Sequence, residues 1–436
     1  MNDNPLAGPA SYAQAHRHAM EAAQPDHPQR TMRTAYRLRG PLDTGRLERA
    51  FHTVLARHDA LRMAFTEHRG ELRYEVHDSV DWHLSREPDV PVDGGPVPPE
   101  LLGELDVSDP FARHTPPLVR ARTWRLGTDD WLLALTVDHM IADTSAVEVL
   151  TDEVGRAYHG ERFADPAPSF AHWIADQADY LDGQACAPDR DYWDRTLAGR
   201  AAGWDTPLPD FGTSAQESGH RTRSLPPAVA ANVSAFAKRH RLTPYMAYLS
   251  AVVLCLARRT GDPDVCVLGT TVNRSRATRG LVGWCAHGLA YRVDVSPART
   301  PVDLALLVRA GCLQVLRHQR YPLLRWRLDN RPGEHGQRLR RPYVFLHPIT
   351  EYFTPPRFVG LTTELVEGTA VEADPCLGFL VRALPTGGMS LGLHYGGFGY
   401  DDDRADALLA DLEESVRLLV DQPDTDLTRL LPDWPG

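Results

Sequence analysis

The sequence predicts an α/β protein built from two domains. The chain has 436 residues, which is long for a single hydrophobic core and suits two domains of about 200 residues each. Patterns typical of helices and of strands alternate along residues 1–178, and a second such region runs from 179 to 436. With 42% hydrophobic and 24% charged residues, the composition is that of an ordinary globular protein.

The clearest local pattern lies in residues 131–158. An apolar run, short enough to be a buried strand, is followed by polar residues and then by an amphipathic helical pattern. Ser145 stands three residues before Glu148, the spacing of a capping box, so the helix is expected to begin there, with Thr144 as the alternative cap. His139 is therefore predicted to lie in a sharp turn between a strand and a helix.

A histidine in such a turn projects from the end of a sheet, where it can face a cleft. An imidazole acts as a general base near neutral pH, so His139 is the candidate catalytic residue. Asp143 follows four residues later, close enough to fix the geometry of the turn through a salt bridge or backbone hydrogen bonds.

The remaining apolar segments do not predict a membrane protein. The longest, residues 244–257, is too short and too closely flanked by arginine to cross a bilayer, and it is interpreted as a buried helix. The first thirty residues are polar and contain no secretory signal. We therefore expect a cytoplasmic protein.

Composition also argues against several other classes. The six cysteines show neither CxxC spacing nor paired histidines, so neither a metal site nor a disulfide framework is predicted. No glycine-rich phosphate loop or dinucleotide fingerprint is present, so no bound cofactor is expected. The net charge of −11 disfavours nonspecific binding to nucleic acid.

Residues 138–144, DHMIADT, resemble the HHxxxDG motif of the condensation domains of nonribosomal peptide synthetases. That superfamily includes chloramphenicol acetyltransferase and plant alcohol acyltransferases, whose motif is HxxxD. Further likeness to condensation domains runs along the chain in the family's order. The matching segments are SYAQ (11–14), RHDALRMAF (57–65), DPF (109–111), PLVRA (117–121), DYW (191–193), LAG (197–199), LTP (242–244), RRTGD (258–262), VNR (272–274) and GW (283–284) with Leu289 and Arg292.

The resemblance implies a fold and an activity. The fold is two chloramphenicol acetyltransferase-like lobes arranged as a V, with the active site in the tunnel between them. We assign residues 1–178 to the first lobe and 179–436 to the second. The activity is acyl transfer to an amine or hydroxyl from the phosphopantetheine thioester of an acyl or peptidyl carrier protein. Because the sequence ends without a carrier-protein motif, the carrier is expected to act in trans.

The resemblance also implies roles for individual residues. His139 takes the proton of the acceptor or orients it, and Asp143 is structural, pairing with an arginine of the second lobe for which Arg274 is the best match. Trp284 and His347 are candidates for lining the substrate tunnel.

An arginine-rich segment between residues 317 and 341 stands out from the acidic remainder of the chain. It is either a solvated surface or a docking site for an acidic carrier protein, whose phosphate arginine binds well. Its arginines are Arg317, Arg320, Arg325, Arg327, Arg331, Arg338, Arg340 and Arg341.

The chain departs from the family pattern at three places. Asp138 replaces the first histidine, and a carboxylate there is expected to raise the basicity of His139. Thr144 replaces the motif glycine, where a side chain can narrow the tunnel and glycine best tolerates unusual backbone angles. Residues 374–376, DPC, replace an FDL-like stretch, and the proline lacks a backbone donor.

Two alternative functions follow from these departures. Asp138 and Asp143 spell DxxxxD, the signature of heterocyclisation domains. Those domains lose the second histidine, whereas His139 remains here, and the serine they carry would fall at Ala146. The other alternative is a non-catalytic platform that recruits a carrier protein or partner enzyme. The retention of His139, Asp143 and a candidate arginine partner favours an enzyme over a platform, and heterocyclisation ranks below acyl transfer.

Overall fold

The computed structural model describes residues 6–23, 30–92, 94–98, 100–101, 110–199, 218–331, 333, 343–347, 355–366, 377–384, 387–396, 400–431 and 434. The strands are β1 (Ala7–Pro9), β2 (Thr31–Arg39), β3 (Met63–His68), β4 (Glu71–Val76), β5 (Ser85–Arg86), β6 (Val119–Gly127), β7 (Asp130–Asp138), β8 (Gly219–Leu225), β9 (Asp264–Thr271), β10 (His287–Asp294), β11 (Val344–Leu346), β12 (Thr362–Leu365), β13 (Leu377–Ala383) and β14 (Met389–Tyr395). The helices are α1 (Tyr12–Ala22), α2 (Thr44–Arg57), α3 (Thr144–His159), α4 (Phe170–Asp182), α5 (Ala187–Thr196), α6 (Pro227–His240), α7 (Pro244–Thr260), α8 (Pro301–Arg317), α9 (Leu323–Asn330), α10 (Asp402–Asp421) and α11 (Leu427–Leu430). The predicted α/β class is confirmed.

A five-stranded sheet in the order β12-β2-β7-β6-β5 supports the first half of the chain. Its central strand β7 is buried from Leu132 to Asp138, which explains why the sequence there is continuously apolar instead of alternating. Helices α2 and α3 pack together with this sheet in one hydrophobic core that contains Leu47, Leu135 and Leu150. The strand predicted before His139 is thus confirmed.

The edge strand of this sheet comes from the other half of the chain. Strand β12 pairs antiparallel with β2, so that Thr362 lies opposite Arg39 and Leu365 opposite Tyr36. The core of the first half also contains Leu281, Val282 and Phe358. Segments after residue 178 therefore complete the first sheet and its core, while the division into lobes at that residue stays a prediction.

A six-stranded sheet in the order β10-β9-β11-β13-β14-β8 forms the second half. Helix α7 is buried at every position from Met246 to Ala257, which confirms the predicted buried helix. Thr243 accepts the backbone N–H of Met246 and caps its start, and Gly261 in the left-handed conformation ends it. Among the described residues, none of the helices has both the length and the apolar character needed to span a bilayer.

The N-cap of helix α3 lies two residues before Ser145, the cap predicted from the capping box, and one residue before the alternative, Thr144. Its N-cap is Asp143, which has extended backbone angles and accepts the N–H of Ala146 at 2.9 Å. Ser145 and Thr144 therefore lie inside the helix, and the capping prediction is wrong. A carboxylate satisfies the free N–H groups of a first turn as well as a hydroxyl does, and its negative charge suits the positive end of the helix.

Candidate active site

The turn that carries His139 is fixed by backbone hydrogen bonds to neighbouring elements. The N–H of Asp138 donates to Leu118 at 3.0 Å, and the N–H of His139 donates to Arg30 at 3.1 Å. The Nε2 of Gln14 donates to the carbonyl of Met140 at 2.6 Å. Gln14 is held by a reciprocal capping box with Ser11 at the start of α1. Helix α1 thus supports the turn directly.

Asp143 joins the turn to the second half of the chain. Both of its carboxylate oxygens accept from the guanidinium of Arg274 at 2.8 Å, a bidentate pair in which each side chain is 4% exposed. One oxygen also accepts the backbone N–H groups of Cys285 at 2.9 Å and Ala286 at 2.8 Å. With the capping bond to Ala146, this carboxylate receives five hydrogen bonds.

The guanidinium of Arg274 also makes hydrogen bonds to backbone carbonyls of its own half of the chain. It donates to the carbonyl of Gly283 at 2.9 Å and to that of Leu281 at 3.3 Å. A Cβ on Gly283 would lie 2.2 Å from the ring of Phe170, so this close approach requires glycine. The preceding residue, Asn273, has a φ of 46°, a left-handed conformation that asparagine tolerates better than most residues.

Trp284 lies against the candidate base. Its ring centroid is 4.6 Å from that of His139, with the planes at 54°. The indole N–H donates to the carbonyl of Ala286 at 3.0 Å, next to the N–H that binds Asp143. The indole therefore forms one wall around the imidazole, and its orientation depends on the same loop that Asp143 holds.

The imidazole of His139 is neutral at physiological pH. Burial, and then the positive charges of Arg30 and Arg17, lower its pKa to about 3, while its own backbone and Asp143 oppose the shift. Nδ1 is buried, and neither ring nitrogen reaches a hydrogen-bond partner on another described residue. The residue retains some solvent exposure, which leaves Nε2 as the nitrogen that a substrate can reach.

Asp138 does not act on His139 in the way the sequence suggested. Its carboxylate is fully buried and accepts from Arg113 at 2.7 and 3.1 Å and from the N–H of Met140 at 2.9 Å. Arg113 also binds Glu21 of α1 at 2.5 Å. Burial and the charges of Arg30 and Arg17 lower the pKa of His139. The expected rise in its basicity is therefore wrong.

Position 144 does not require the glycine of the family motif. It is the first residue of α3 and is exposed, and its φ lies outside the left-handed region. The expectation that this position requires glycine for an unusual backbone angle is therefore wrong. Narrowing of a tunnel by its side chain stays a prediction. Residues 374–376, the third departure, lie outside the described part of the chain.

His347 follows directly after the last residue of β11. Its backbone N–H donates to Phe379 at 2.9 Å, and its ring centroid is 4.6 Å from that of Phe345. Burial, followed by the charges of Arg30 and Arg382, lowers its pKa to about 4. The described contacts of His347 do not include His139, although Arg30 lowers the pKa of both.

Only some of the described arginines of the arginine-rich segment are exposed. Arg327 is 4% exposed, so its assignment to an exposed docking site is wrong. Arg325 donates to Asp329 at 2.9 Å, and Arg320 lies over the ring of Tyr180 at 4.0 Å. Arg317 and Arg320 are exposed and Arg331 is half-buried, whereas Arg338, Arg340 and Arg341 lie outside the described residues.

Sequence reasoning missed the residues that hold the site from outside the motif. Arg113 lies 25 positions before Asp138, and its only signal is that a buried aspartate in a strand needs a cationic partner. Gln14 was noted as part of a motif, but its contact with Met140 spans 126 positions. The N–H groups of Cys285 and Ala286 carry no side-chain signal at all.

Comparison with known proteins agrees with this geometry. A family model for the condensation domain matches residues 7–430, and the chain belongs to that family.

The relatives are nonribosomal peptide synthetases. A linear gramicidin synthase of Brevibacillus parabrevis is 30% identical over 333 residues, which cover 72% of this chain and 6% of that protein. The synthetase CymA of Salinispora arenicola, described as probable and non-canonical, is 28% identical over 420 residues, covering 89% of this chain and 5% of that protein. The first curated relatives are far longer, and the chain spans 4 to 8% of their length.

Solved structures show the same fold. The condensation domain of the monacolin K polyketide synthase MokA has a TM-score of 0.83 at 18% identity, covering 97% of this chain and 99% of that one. The SgcC5 protein of Streptomyces globisporus has a TM-score of 0.77 at 21% identity, covering 96% and 100%. The X-domain of teicoplanin biosynthesis, solved in complex with OxyB, has a TM-score of 0.80 at 21% identity, covering 97% and 95%. The predicted chloramphenicol acetyltransferase-like fold is confirmed.

Proposed function

We propose that this protein transfers an acyl or aminoacyl group from a carrier-protein thioester to an amine or hydroxyl acceptor in natural-product biosynthesis. The observation that supports this most strongly is the position of His139. Its neutral ring packs on Trp284, 4.6 Å away, beside the carboxylate of Asp143 that joins the two halves of the chain. In this proposal the lobes are residues 1–178 and 179–436, and the reaction takes place between them.

The carrier protein supplies the reactive group. Its phosphopantetheine arm presents the acyl group as a thioester, so the proposal needs no cofactor bound to this chain. A thioester is already activated, and holding the acceptor against it can provide much of the rate through proximity alone. The residues of this chain therefore have two main roles, which are to position the acceptor and to transfer one proton.

His139 is proposed as the catalytic residue. The N–H or O–H of the acceptor donates a hydrogen bond to Nε2 as the acceptor attacks the thioester carbonyl. The new C–N or C–O bond forms, and Nε2 then takes the proton from the charged intermediate. The tetrahedral intermediate then collapses, the C–S bond breaks, and the proton returns to the leaving thiolate. General-base help of this kind is worth about 10²–10⁴ in rate.

The low pKa of His139 shapes this role. A pKa of about 3 keeps the ring neutral and able to accept a hydrogen bond at any physiological pH. It also makes the free imidazole a weak base, so proton transfer follows the attack and does not precede it. Orientation of the acceptor is thus the first contribution of His139, and proton removal from the charged intermediate is the second.

Asp143 and Arg274 are proposed as positioning residues. Neither is free to react, because each is 4% exposed and fully engaged in hydrogen bonds. Their pair fixes the start of α3 against the loop that carries Trp284. Trp284 and His347 are proposed to line the route of the substrates.

A non-catalytic platform is the second candidate. Asp138 in place of the family's first histidine, locked by Arg113, is the feature that favours it. The X-domain solved with OxyB has the same fold, so this fold is compatible with binding a partner protein. A platform, however, has no use for an accessible nitrogen on His139.

Heterocyclisation ranks below both. That activity is a candidate because Asp138 and Asp143 match the DxxxxD signature. Asp138 is fully buried against Arg113, and Asp143 receives five hydrogen bonds. Neither carboxylate has a free oxygen directed at a substrate, which argues against an acid–base role for the pair.

Intact mass spectrometry of an acyl-loaded carrier protein tests these alternatives. The carrier is incubated with a panel of amines and alcohols and with wild type, His139→Ala or His77→Ala, the last being an exposed histidine that serves as the matched control. We expect acceptor-dependent loss of the acyl group with wild type and His77→Ala alone. A product lighter by one further water identifies heterocyclisation. Stable carrier binding without turnover by any of the three, across donors of its own pathway, overturns the proposal in favour of a platform.

A further inference from the structure

At its β8 edge, the six-stranded sheet has one face that packs against α10. On β8, Arg223 binds Glu413 and Arg221 binds Asp402, both on α10. The neighbouring strands point Leu393 and Phe379 toward the same side, both at 0% exposure. Because side chains alternate along a strand, the intervening residues of β8, β14 and β13 must lie on the opposite face.

Three histidines come together on that opposite face. His220 of β8 is directly opposite His394 of β14 in the ladder, and their rings stack with centroids 4.2 Å apart. The ring of His347 lies 6.4 Å from that of His394. None of the three rings makes a hydrogen bond to another described residue. Since Nδ1 and Nε2 both seek partners, this cluster has unused hydrogen-bonding capacity.

Two glycines make room for these rings. A Cβ on Gly378 would lie 3.0 Å from Nε2 of His347, and one on Gly392 would lie 3.2 Å from Nε2 of His220. Both glycines are in strand interiors, where glycine weakens a sheet and often marks a close approach by another group. Here that group is an imidazole laid across the sheet.

Arg382 adds a positive charge to the cluster. It follows Gly378 and Leu380 on the same face of β13 and opposes Ser390 in the ladder. Its guanidinium has no hydrogen bond or ion pair with any described residue, although it is only partly exposed. A half-buried guanidinium without a carboxylate partner is unusual, because arginine loses hydration there without compensation.

We propose that His220, His347, His394 and Arg382 form a binding subsite for an anionic group, a carboxylate or a phosphate, on a substrate that enters between the two halves of the chain. Arg382 supplies the fork of N–H donors that suits such oxygens, and the histidines supply further donors once protonated. The subsite rests on the proposed function in one respect only, namely that the anion belongs to an acyl-transfer substrate.

The electrostatics of the cluster agree with an anion site. Burial is the largest cause that lowers the pKa of His347 to about 4 and of His394 to about 3, and Arg382 lowers the pKa of all three histidines. No described carboxylate contributes to any of these shifts. Each neutral ring already offers one N–H donor, and a bound anion would oppose the effect of Arg382 and favour protonation, which adds the second.

Arg30 connects the subsite to the candidate base. Its carbonyl accepts the backbone N–H of His139, and the charge of its side chain lowers the pKa of both His139 and His347. In this proposal one end of the substrate lies at the subsite and the other end reaches Nε2 of His139. Within the described residues, no group of histidines, cysteines or carboxylates is arranged to hold a metal ion.

NMR of protein labelled at histidine Cε1 tests the subsite without requiring turnover. The resonances are assigned with single His→Gln variants, and the protein is titrated with acetate and with inorganic phosphate at ionic strength held constant with chloride. We expect saturable shifts of His220, His347 and His394, with His77 unmoved. Arg382→Gln should weaken binding about tenfold or more, the loss of one charge-assisted contact, while Arg382→Lys should retain part of it. The absence of saturable shifts, or equal affinity in Arg382→Gln, would overturn the proposal. If Arg382→Gln does not fold, His394→Gln is compared in the same way.

Paired ligands then identify which substrate carries the anion. Glycine against glycinamide reports a carboxylate on a free acceptor, and phosphopantetheine against pantetheine reports the phosphate of the carrier arm. Preference for the member that carries the carboxylate or the phosphate supports the subsite and names its source. Equal binding of both members of both pairs overturns it. Because His139→Ala should bind these ligands as wild type does, a failure of acyl transfer and a failure of this subsite are distinguishable.

Discussion

The carboxylate of Asp143 and the guanidinium of Arg274 form a bidentate pair with both distances at 2.8 Å, although 131 positions separate them in the chain. Asp143 is also the N-cap of α3 and accepts two backbone N–H groups of the loop at Cys285 and Ala286. One buried carboxylate thus determines where the helix after His139 begins and where the opposite loop lies. The geometry around His139 depends on a contact between the two halves of the chain.

Replacing either member of this ion pair should destabilise the folded protein. Arg274→Ala leaves a buried carboxylate and Asp143→Ala leaves a buried guanidinium, and each loss should lower the free energy of unfolding by about 3–5 kcal/mol. Asp143→Ala should cost about 1 kcal/mol more, because α3 also loses its cap. Urea unfolding of both single variants and the double variant measures the coupling. Strictly additive effects would show that the pair contributes nothing as a unit.

Gly283 should not accept even a methyl group. A Cβ there would lie 2.2 Å from the ring of Phe170, so Gly283→Ala must displace Phe170 or the loop that carries Trp284. We expect a loss of about 1–3 kcal/mol in the free energy of unfolding and a change in tryptophan fluorescence. Gly280→Ala is the matched control, since nothing lies within 4 Å of its Cβ. Equal stability of the two variants would contradict the close approach.

Stability should fall as the pH drops below 6.5, in part because of His139. The folded protein holds the pKa of His139 at about 3, below its ordinary value of 6.5. Between these values the unfolded chain binds a proton that the folded chain does not, so unfolding becomes easier as the pH decreases. Replacing His139 with glutamine should therefore reduce the slope of unfolding free energy against pH by up to about 1.4 kcal/mol per unit.

The measurement is urea unfolding at several pH values below 6.5 for wild type and His139→Gln. His77→Gln, at an exposed site, controls for the loss of a histidine that has no such environment. If the slope of unfolding free energy against pH is unchanged in His139→Gln, the pKa of His139 is not lowered in the folded protein, which contradicts this account.

Restoring the family's histidine at position 138 should harm this protein. Asp138→His places an imidazole against Arg113, whose contacts with Asp138 are 2.7 and 3.1 Å, and breaks a buried ion pair. A loss of about 3–5 kcal/mol in the free energy of unfolding is expected. Adding Arg113→Gln to Asp138→His should recover part of that loss, as thermal unfolding would show. A stable Asp138→His single variant would mean that Arg113 is not the reason for the aspartate.

Much of the site was predictable because its signals are local. The strand before His139 and the helix after it follow from hydrophobic pattern over residues 131–158. Arg274 was found through its VNR segment, and the contact with Asp143 is present. The N-cap of α3 was predicted wrongly because three adjacent residues, Asp143 to Ser145, all suit that position. The ion pair with Arg274, which also holds Asp143 in place, is a tertiary contact that the local sequence does not reveal.

The rest could not be predicted because it depends on distant partners. Nothing near Asp138 in the chain indicates that it will pair with Arg113. The pKa of His139 was predicted in the wrong direction because burial and the charges of Arg30 and Arg17, which lower it, arise only in the folded protein. Arg327 was assigned to the surface from charge alone, whereas it is 4% exposed. The histidine cluster around His394 forms only when the sheet brings β11, β13, β14 and β8 together in that order.

The most direct test of acyl transfer at His139 is the single-turnover rate, with carrier affinity measured in the same samples. Donor and acceptor are those that give turnover with wild type, and the variants are His139→Ala and His77→Ala. We expect His139→Ala to slow transfer by about 10²–10⁴ and to leave the Kd for the carrier unchanged, while His77→Ala matches wild type in both. Transfer by His139→Ala at the wild-type rate would contradict the assignment of His139 as the catalytic residue.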